Sequence, residues 1–287
     1  MDTTLNDKNF YKISEFIHKL CGIKIKEDKK YLIQNRLKPF LEDNNFESFE
    51  KLVSVLLFLD ENQKKSIVDK ITTNETSFFR DKHPFKSLED VVLPELYNHY
   101  EEQKSSSTIQ IFNKKINIWS LASSTGQEAF SIAFTLHNFC KRFKNSLYDN
   151  FSIMGSDICE YVLERARQGE YTDHELKRGL SQNQIDEYFC PETPFSYKIK
   201  DSVRSIVNFE FINVIESFPA NSKKFDLVFC RNMLIYFDLE TKQKVLNQIY
   251  NCMRPGAYLL IGASENLIGM NTNFEKVKIG NTTYYKK

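Results

Sequence analysis

Residues 116–133 read INIWSLASSTGQEAFSIA, and this stretch decides the fold. Its first part, 116–122, is a short apolar run with the length and β-branched content of a buried strand. Ser123, Ser124, Thr125 and Gly126 follow as a loop of small residues, and 127–140 then has the pattern of a helix. The same alternation continues outward. Strands are expected at 151–155, at Val207, Phe209 and Phe211, at 225–230 and at 258–262, with helices around 162–167 and 240–253. Arg254-Pro255-Gly256 reads as a turn, and 274–285 as a hairpin about Gly280-Asn281. Strands alternating with helices predict an α/β protein with a mostly parallel sheet covered on both faces. Residues 170–206 fit no helix of that alternation and read as an inserted subdomain; the polar run 101–108 reads as a surface loop. Upstream, residues 1–70 look all-helical. Ile13, Phe16, Ile17 and Leu20 mark one helical face, and Phe49, Leu52, Val53, Leu56 and Leu57 mark another.

The whole chain has 287 residues, enough for a large domain or two ordinary ones. With 39 Lys+Arg against 38 Asp+Glu it lacks the basic excess of a protein that binds nucleic acid by bulk charge. It has nine glycines, no two of them separated by a single residue, which excludes the G-x-G-x-x-G and Walker phosphate loops. The six cysteines form no C-x-x-C pair and no zinc spacing; no metal site is expected, and free thiols fit a reducing compartment. A polar start and no long apolar run predict a cytoplasmic protein without membrane insertion. The neutral total hides sorted charge. Residues 19–40 carry seven Lys/Arg against Glu27 and Asp28, while 41–61 carry Lys51 against six acidic residues. That is either a pair of mutually attracting solvated helices or a basic helix that docks an acidic partner.

In open α/β sheets ligands bind beyond the carboxyl ends of the strands, so the residues after each strand are the candidates. The first loop offers Gly126, the free N–H groups of the next helix and Glu128 in its first turn. Glu128 suits the helix dipole there, or binds a ligand's ammonium group. Asp157 after the second strand is either a ribose acceptor or a helix cap. Asn213-Val214 follow the third strand, Arg231-Asn232 the fourth, and Tyr236 lies just beyond. No hydrolase elbow or metal motif competes, which leaves a nucleoside-type site without a covalent nucleophile.

These residues resemble the CheR-type chemotaxis receptor methyltransferases, which are protein-glutamate O-methyltransferases. Four blocks carry the resemblance: TNETSFFRD at 73–81; the first loop with its strand and helix at 118–133; GSDI at 155–158 with VLERAR at 162–167; and FDLVFCRNMLIYFD at 225–238, followed by RPG at 254–256 and GASENL from Gly262. The resemblance implies a small all-α domain (1–70), a linker that contributes to the site (71–84), and a Rossmann-like methyltransferase domain (85–287) with an inserted β-subdomain near 170–206. It implies S-adenosylmethionine as cofactor. Asn74, Thr76 and Arg80 would close over it, with Arg80 pairing its carboxylate. Glu128 would meet its amino group, Asp157 would hold the ribose, and Asn213 and Val214 would flank the adenine. Arg231 and Asn232 would line the floor, and Tyr236 would orient the acceptor near the methyl, so that Tyr236 and Arg80 are the expected catalytic residues. A glutamate carboxylate is already ionised near neutral pH, so this transfer needs positioning rather than a strong base.

The implied partners are the cytoplasmic helices of methyl-accepting chemoreceptors, with Lys24, Lys26, Lys29, Lys30, Arg36 and Lys38 facing their acidic surface. Residues 190–207 lack glycine and are short, which predicts no dependence on a receptor's C-terminal tail peptide. Two other readings use the same residues: methylation of a different protein in a non-chemotactic pathway, or a catalytically silent cofactor-binding module.

Overall fold

The computed structural model describes residues 4–106, 115–142, 148–216 and 224–287. Its N-terminal part is helical: Asp7–Cys21, Lys30–Asp43, Phe49–Val55 and Glu61–Ile71. Side chains at the helix starts satisfy orphan N–H groups. Asn6 accepts from Asn9 N, Ser48 from Lys51 N, and Asp60 with Gln63 closes a capping box. Phe10, Ile13, Ile17, Ile33, Leu37, Phe40, Leu52 and Ile67 bury one apolar face from each helix in a common core. Leu57 departs from the expected helical face and is 85% exposed. The chain tightens into a 3₁₀ turn over Leu56–Phe58, and three residues per turn rotate Leu57 outward.

The rest is built on a seven-stranded sheet. Its strands are β1 (Ile116–Leu121), β2 (Phe151–Asp157), β6 (Val207–Phe211), β7 (Phe225–Cys230), β8 (Met253–Ile261), β9 (Glu275–Ile279) and β10 (Thr282–Lys286). The order is β6-β2-β1-β7-β8-β10-β9. The first five strands run parallel, and the hairpin β9–β10 adds antiparallel to β8. The strand order therefore reverses between β1 and β7, which places a crevice at their carboxyl ends. Residues 170–206 hold a second sheet, β3 (Glu170–Thr172), β4 (Phe189–Thr193) and β5 (Ser196–Ile199), in the order β3-β5-β4.

Two further local expectations change. Residues 101–106 extend the helix Leu93–Ser106 instead of forming a loop, while 107 and 108 lie outside the described residues. Arg254-Pro255-Gly256 is not a turn between elements. It is a bulge inside β8, where the pairing with β7 skips between Phe225–Met253 and Leu227–Tyr258. Arg254 reaches across to Asp226, whose carboxylate also accepts from Asn117 N at 2.8 Å, so Asp226 ties neighbouring strands together.

The helical part seats directly on the crevice. Lys24 N donates to Tyr236 O at 2.9 Å, Asn213 Nδ2 donates to Leu20 O at 2.9 Å, and His18 lies 3.1 Å from the Asp238 carboxylate. Arg36 fastens the connecting segment: it donates to Ile71 O, to Thr72 O at 3.1 Å and to Thr73 Oγ1 at 3.0 Å. Phe78 from that segment is buried among Phe134, Tyr171 and Phe189, so the segment is anchored on both sides of residues 74–77.

Candidate active site

A cleft of about 1010 Å³, counted out to open solvent, lies where the loops after β1, β2, β6 and β7 meet the segment 71–80. Asn74, Thr76, Arg80, Glu128, Asp157, Val214, Arg231, Asn232 and Tyr236 all line it. Asn213 is the expected cofactor residue that does not. Its amide is turned to Leu20 O and to Glu216 Oε1 at 2.8 Å, so it joins the two parts of the chain rather than facing the cavity.

The first loop achieves its close turn with little glycine. Ala122 and Ser124 take left-handed φ values of 56° and 51°, and Gly126 one of 92°. The two non-glycine positions each store about 1–3 kcal/mol of strain, and tertiary contacts hold them. Ser124 N donates to Asp157 Oδ2 at 2.8 Å, Ser124 Oγ to Asn74 O at 3.0 Å, and the buried Tyr171 hydroxyl to Thr125 O at 2.7 Å. Asp157 is thus a loop organiser as well as a cavity wall. Its other oxygen accepts from Cys159 N at 3.1 Å; it does not cap the helix Glu160–Gln168, whose N-cap residue is Cys159. Burial raises the Asp157 pKa above the ordinary value, and the backbone donors at Cys159, Ser124 and Ile158 oppose the rise.

Across the cleft Arg231 has a side chain only 2% exposed. It pairs with Glu128 Oε2 at 2.9 Å and Asp81 Oδ2 at 2.6 Å, and donates to Arg80 O at 3.2 Å. Glu128 also accepts from the buried Ser120 hydroxyl at 2.8 Å. A cation between two carboxylates satisfies its fork of donors and fixes the chain on either side of the cavity. Arg80 donates to Glu75 O at 3.2 Å, and its side chain lines the cleft. Glu75 pairs with Arg178 of the inserted region at 2.7 Å, and that guanidinium holds its carboxyl below the usual range.

Sequence reasoning missed several contributors. Asp81 and Glu265 stood inside quoted motifs without a role. Glu265 gathers three backbone donors: Asn232 N at 2.9 Å, Gly262 N at 2.7 Å and Ile235 N at 3.2 Å. It thereby supports the turn that presents Asn232, itself at φ 60°, and Tyr236. A Cβ on Gly262 would stand 2.7 Å from Glu265 Oε2 and 2.9 Å from Asn232 N. Gly262→Ala is therefore expected to displace this turn and cost about 1–3 kcal/mol, readable in thermal denaturation. The cavity wall of Cys21, Ile23 and Phe237 was also missed, because two of these come from the helical part.

The sequence model of the family described as "CheR methyltransferase, SAM binding domain" matches residues 74–283, and that of "CheR methyltransferase, all-alpha domain" matches residues 8–72. The chain is 38% identical over 284 residues to the chemotaxis protein methyltransferase of Vibrio parahaemolyticus, covering 99% of this chain and 98% of that one. It is 30% identical to the chemotaxis protein methyltransferase of Escherichia coli, covering 94% and 88%. Among solved structures it is similar to a SAM-dependent methyltransferase of Methanosarcina mazei at 16% identity, over 52% of this chain and 53% of that one, with a TM-score of 0.31.

Proposed function

The chain belongs to the CheR methyltransferase family and is an S-adenosylmethionine-dependent methyltransferase; from that premise we propose that its substrates are glutamate side chains of chemoreceptor cytoplasmic helices, which it converts to methyl esters. The observation that carries this reading is the convergence of segment 71–80 and four strand-end loops on one cleft that contains Tyr236 and, among the described residues, no histidine to act as general base.

The residues present fit the cofactor. The buried Asp157 carboxylate suits vicinal ribose hydroxyls, Val214 and Ile212 offer apolar cover for a base, and Glu128 with Arg80 suits an ammonium–carboxylate pair. The bound cofactor would supply an electrophilic methyl on a sulfonium. The chain's own work is to orient and dehydrate. Asn74 and Thr76 roof the cleft, Arg231 holds Glu128 in place, and Asn232 is set by Glu265. Tyr236 offers a hydroxyl that donates to one carboxylate oxygen of the acceptor and leaves the other free to attack. Tyr236→Phe is expected to lower kcat about 10- to 100-fold with cofactor affinity unchanged, since only acceptor alignment is lost. Single-turnover kinetics with equilibrium cofactor titration checks the split.

Lys24, Lys26, Lys29 and Lys38 form the proposed docking face, and their exposure supports it. Lys30 is tied to Asp7 at 2.5 Å, and Arg36 is spent on residues 71–73, so these two serve the fold first. The reaction is placed in the cytoplasm, where the receptor helices are, and no described helix is long and apolar enough to cross a membrane. Transfer needs no receptor tail peptide. The test is tritiated-methyl transfer to a receptor signalling-domain fragment that lacks the tail. Base-labile label identifies the ester; a base-stable product, or no transfer, refutes the proposal.

A further inference from the structure

Among the described residues, none from the inserted region 170–206 lines the cleft. That region nevertheless touches two of the parts that form it. The buried Tyr171 hydroxyl donates to Thr125 O at 2.7 Å, in the loop after β1. Gly179, just beyond the helix Asp173–Lys177, lies against the backbone of Phe78. A Cβ on Gly179 would collide with Phe78 O, and would stand 2.7 Å from the Phe78 carbonyl carbon and 3.0 Å from its Cβ. Gly179 does not have a left-handed φ, so the close approach alone requires glycine there. The Phe78 ring is seated on the same region, with its centroid 5.0 Å from that of Tyr171 and 5.7 Å from that of Phe189.

The segment so held is strained. Phe79, Asp81 and Lys82 take left-handed φ values of 47°, 68° and 49°. Side-chain-bearing residues keep that conformation only where surrounding contacts impose it. Phe79 N donates to Ser131 Oγ at 2.9 Å, and Arg231 grips Arg80 O and Asp81. Gly179 bounds the segment at Phe78, immediately before the strained residues. Thr76 and Arg80, which line the cleft, lie two residues to either side of Phe78. A shift of the Phe78 backbone therefore reaches both.

We propose that Tyr171 and Gly179 are positioning residues through which the inserted region sets affinity for S-adenosylmethionine. Tyr171 fixes the loop after β1 on one side of the cofactor, and Gly179 lets the segment 74–80 close on the other. The inference rests on the cofactor reading of the cleft and is independent of the acceptor's identity. Linkage makes the effect reciprocal: a cofactor that needs the ordered loop and segment must in turn stabilise the region that orders them. The Arg178–Glu75 pair joins the same two parts, but its side chains are 50% and 60% exposed, so water screens it and it contributes less.

The test is calorimetric titration of the full chain with S-adenosylmethionine, without any acceptor and well below each variant's Tm. Gly179→Ala is expected to raise Kd about 10- to 100-fold, because backbone at Phe78 must move to admit the methyl. Tyr171→Phe removes one buried hydroxyl, keeps the ring, and is expected to raise Kd about fivefold; it serves alone if Gly179→Ala does not fold. In the unaltered chain, saturating cofactor is expected to slow amide exchange across residues 170–180 about threefold more than in the hairpin β9–β10. A purely structural role would lower Tm and leave Kd in place. Folded variants with Kd unchanged within about twofold overturn the inference, and so does equal protection of residues 170–180 and the hairpin. Failure of the unaltered chain to bind S-adenosylmethionine instead defeats the cofactor reading, and this inference with it.

Discussion

Arg231→Met is expected to destabilise the protein by about 3–5 kcal/mol, because it removes one partner from a buried ion-pair cluster and leaves the other charges uncompensated. The value should fall toward the lower end. Asp81 is 37% exposed and can rehydrate, whereas Glu128, at 14%, is held beside Ser120 and cannot. For a chain of this size that corresponds to a fall in Tm of about 10 °C. Cofactor affinity should fall with it. Arg231 also grips Arg80 O and Asp81, so its loss frees the end of segment 71–80 that covers the cleft. Lysine should rescue poorly, since a single ammonium cannot span three acceptors in the guanidinium's fork geometry. Calorimetry and cofactor titration on Arg231→Met and Arg231→Lys check both parts; a methionine variant with unchanged Tm would refute the assignment.

Asp157→Asn should leave most of the fold and remove most of the cofactor affinity. The carboxylate accepts from Ser124 N and Cys159 N on its two oxygens. An amide keeps one acceptor and turns its NH₂ toward the other N–H, which loosens Ser124 at its strained φ of 51°. Charge-assisted bonds are worth about 1.5–3 kcal/mol each, so Kd is expected to rise about 10- to 150-fold.

The pH dependence has a definite sign. Burial raises the Asp157 pKa above 3.8, so the folded chain without cofactor binds this proton more tightly than the unfolded chain. Its contribution to stability therefore declines as pH rises from 3.8 through the raised pKa. Cofactor affinity runs the other way, since the ionised form is the ribose acceptor. In the natural chain affinity should fall on acidification at a higher pH than an ordinary aspartate would give. In Asp157→Asn that component should vanish. Calorimetric titration across the acid range distinguishes the two.

The most local features were the most legible. The run at 116–122, the small-residue loop and the amphipathic helix after it need only neighbours in sequence, and the structure places β1, the turn and the helix Gln127–Lys141 there. Errors arose where a local pattern met a tertiary demand. Arg254-Pro255-Gly256 has turn chemistry, yet pairing with β7 on one side and with the chain end at Lys287 on the other draws it into a strand as a bulge. Leu57 continues an apolar period, but the helix tightens before reaching it.

By itself the sequence determined the alternation of strands and helices, the strand ends that carry the cleft, and the residue types available there, because propensity and periodicity act within a few residues along the chain. Only the tertiary structure decided the pairings: Arg231 between Glu128 and Asp81, Glu265 under the turn at Asn232, Arg36 turned inward onto residues 71–73, and a cavity wall from Cys21 and Ile23. Each joins residues far apart in the chain, and such contacts are selected by how the layers pack and which buried polar groups must then find partners.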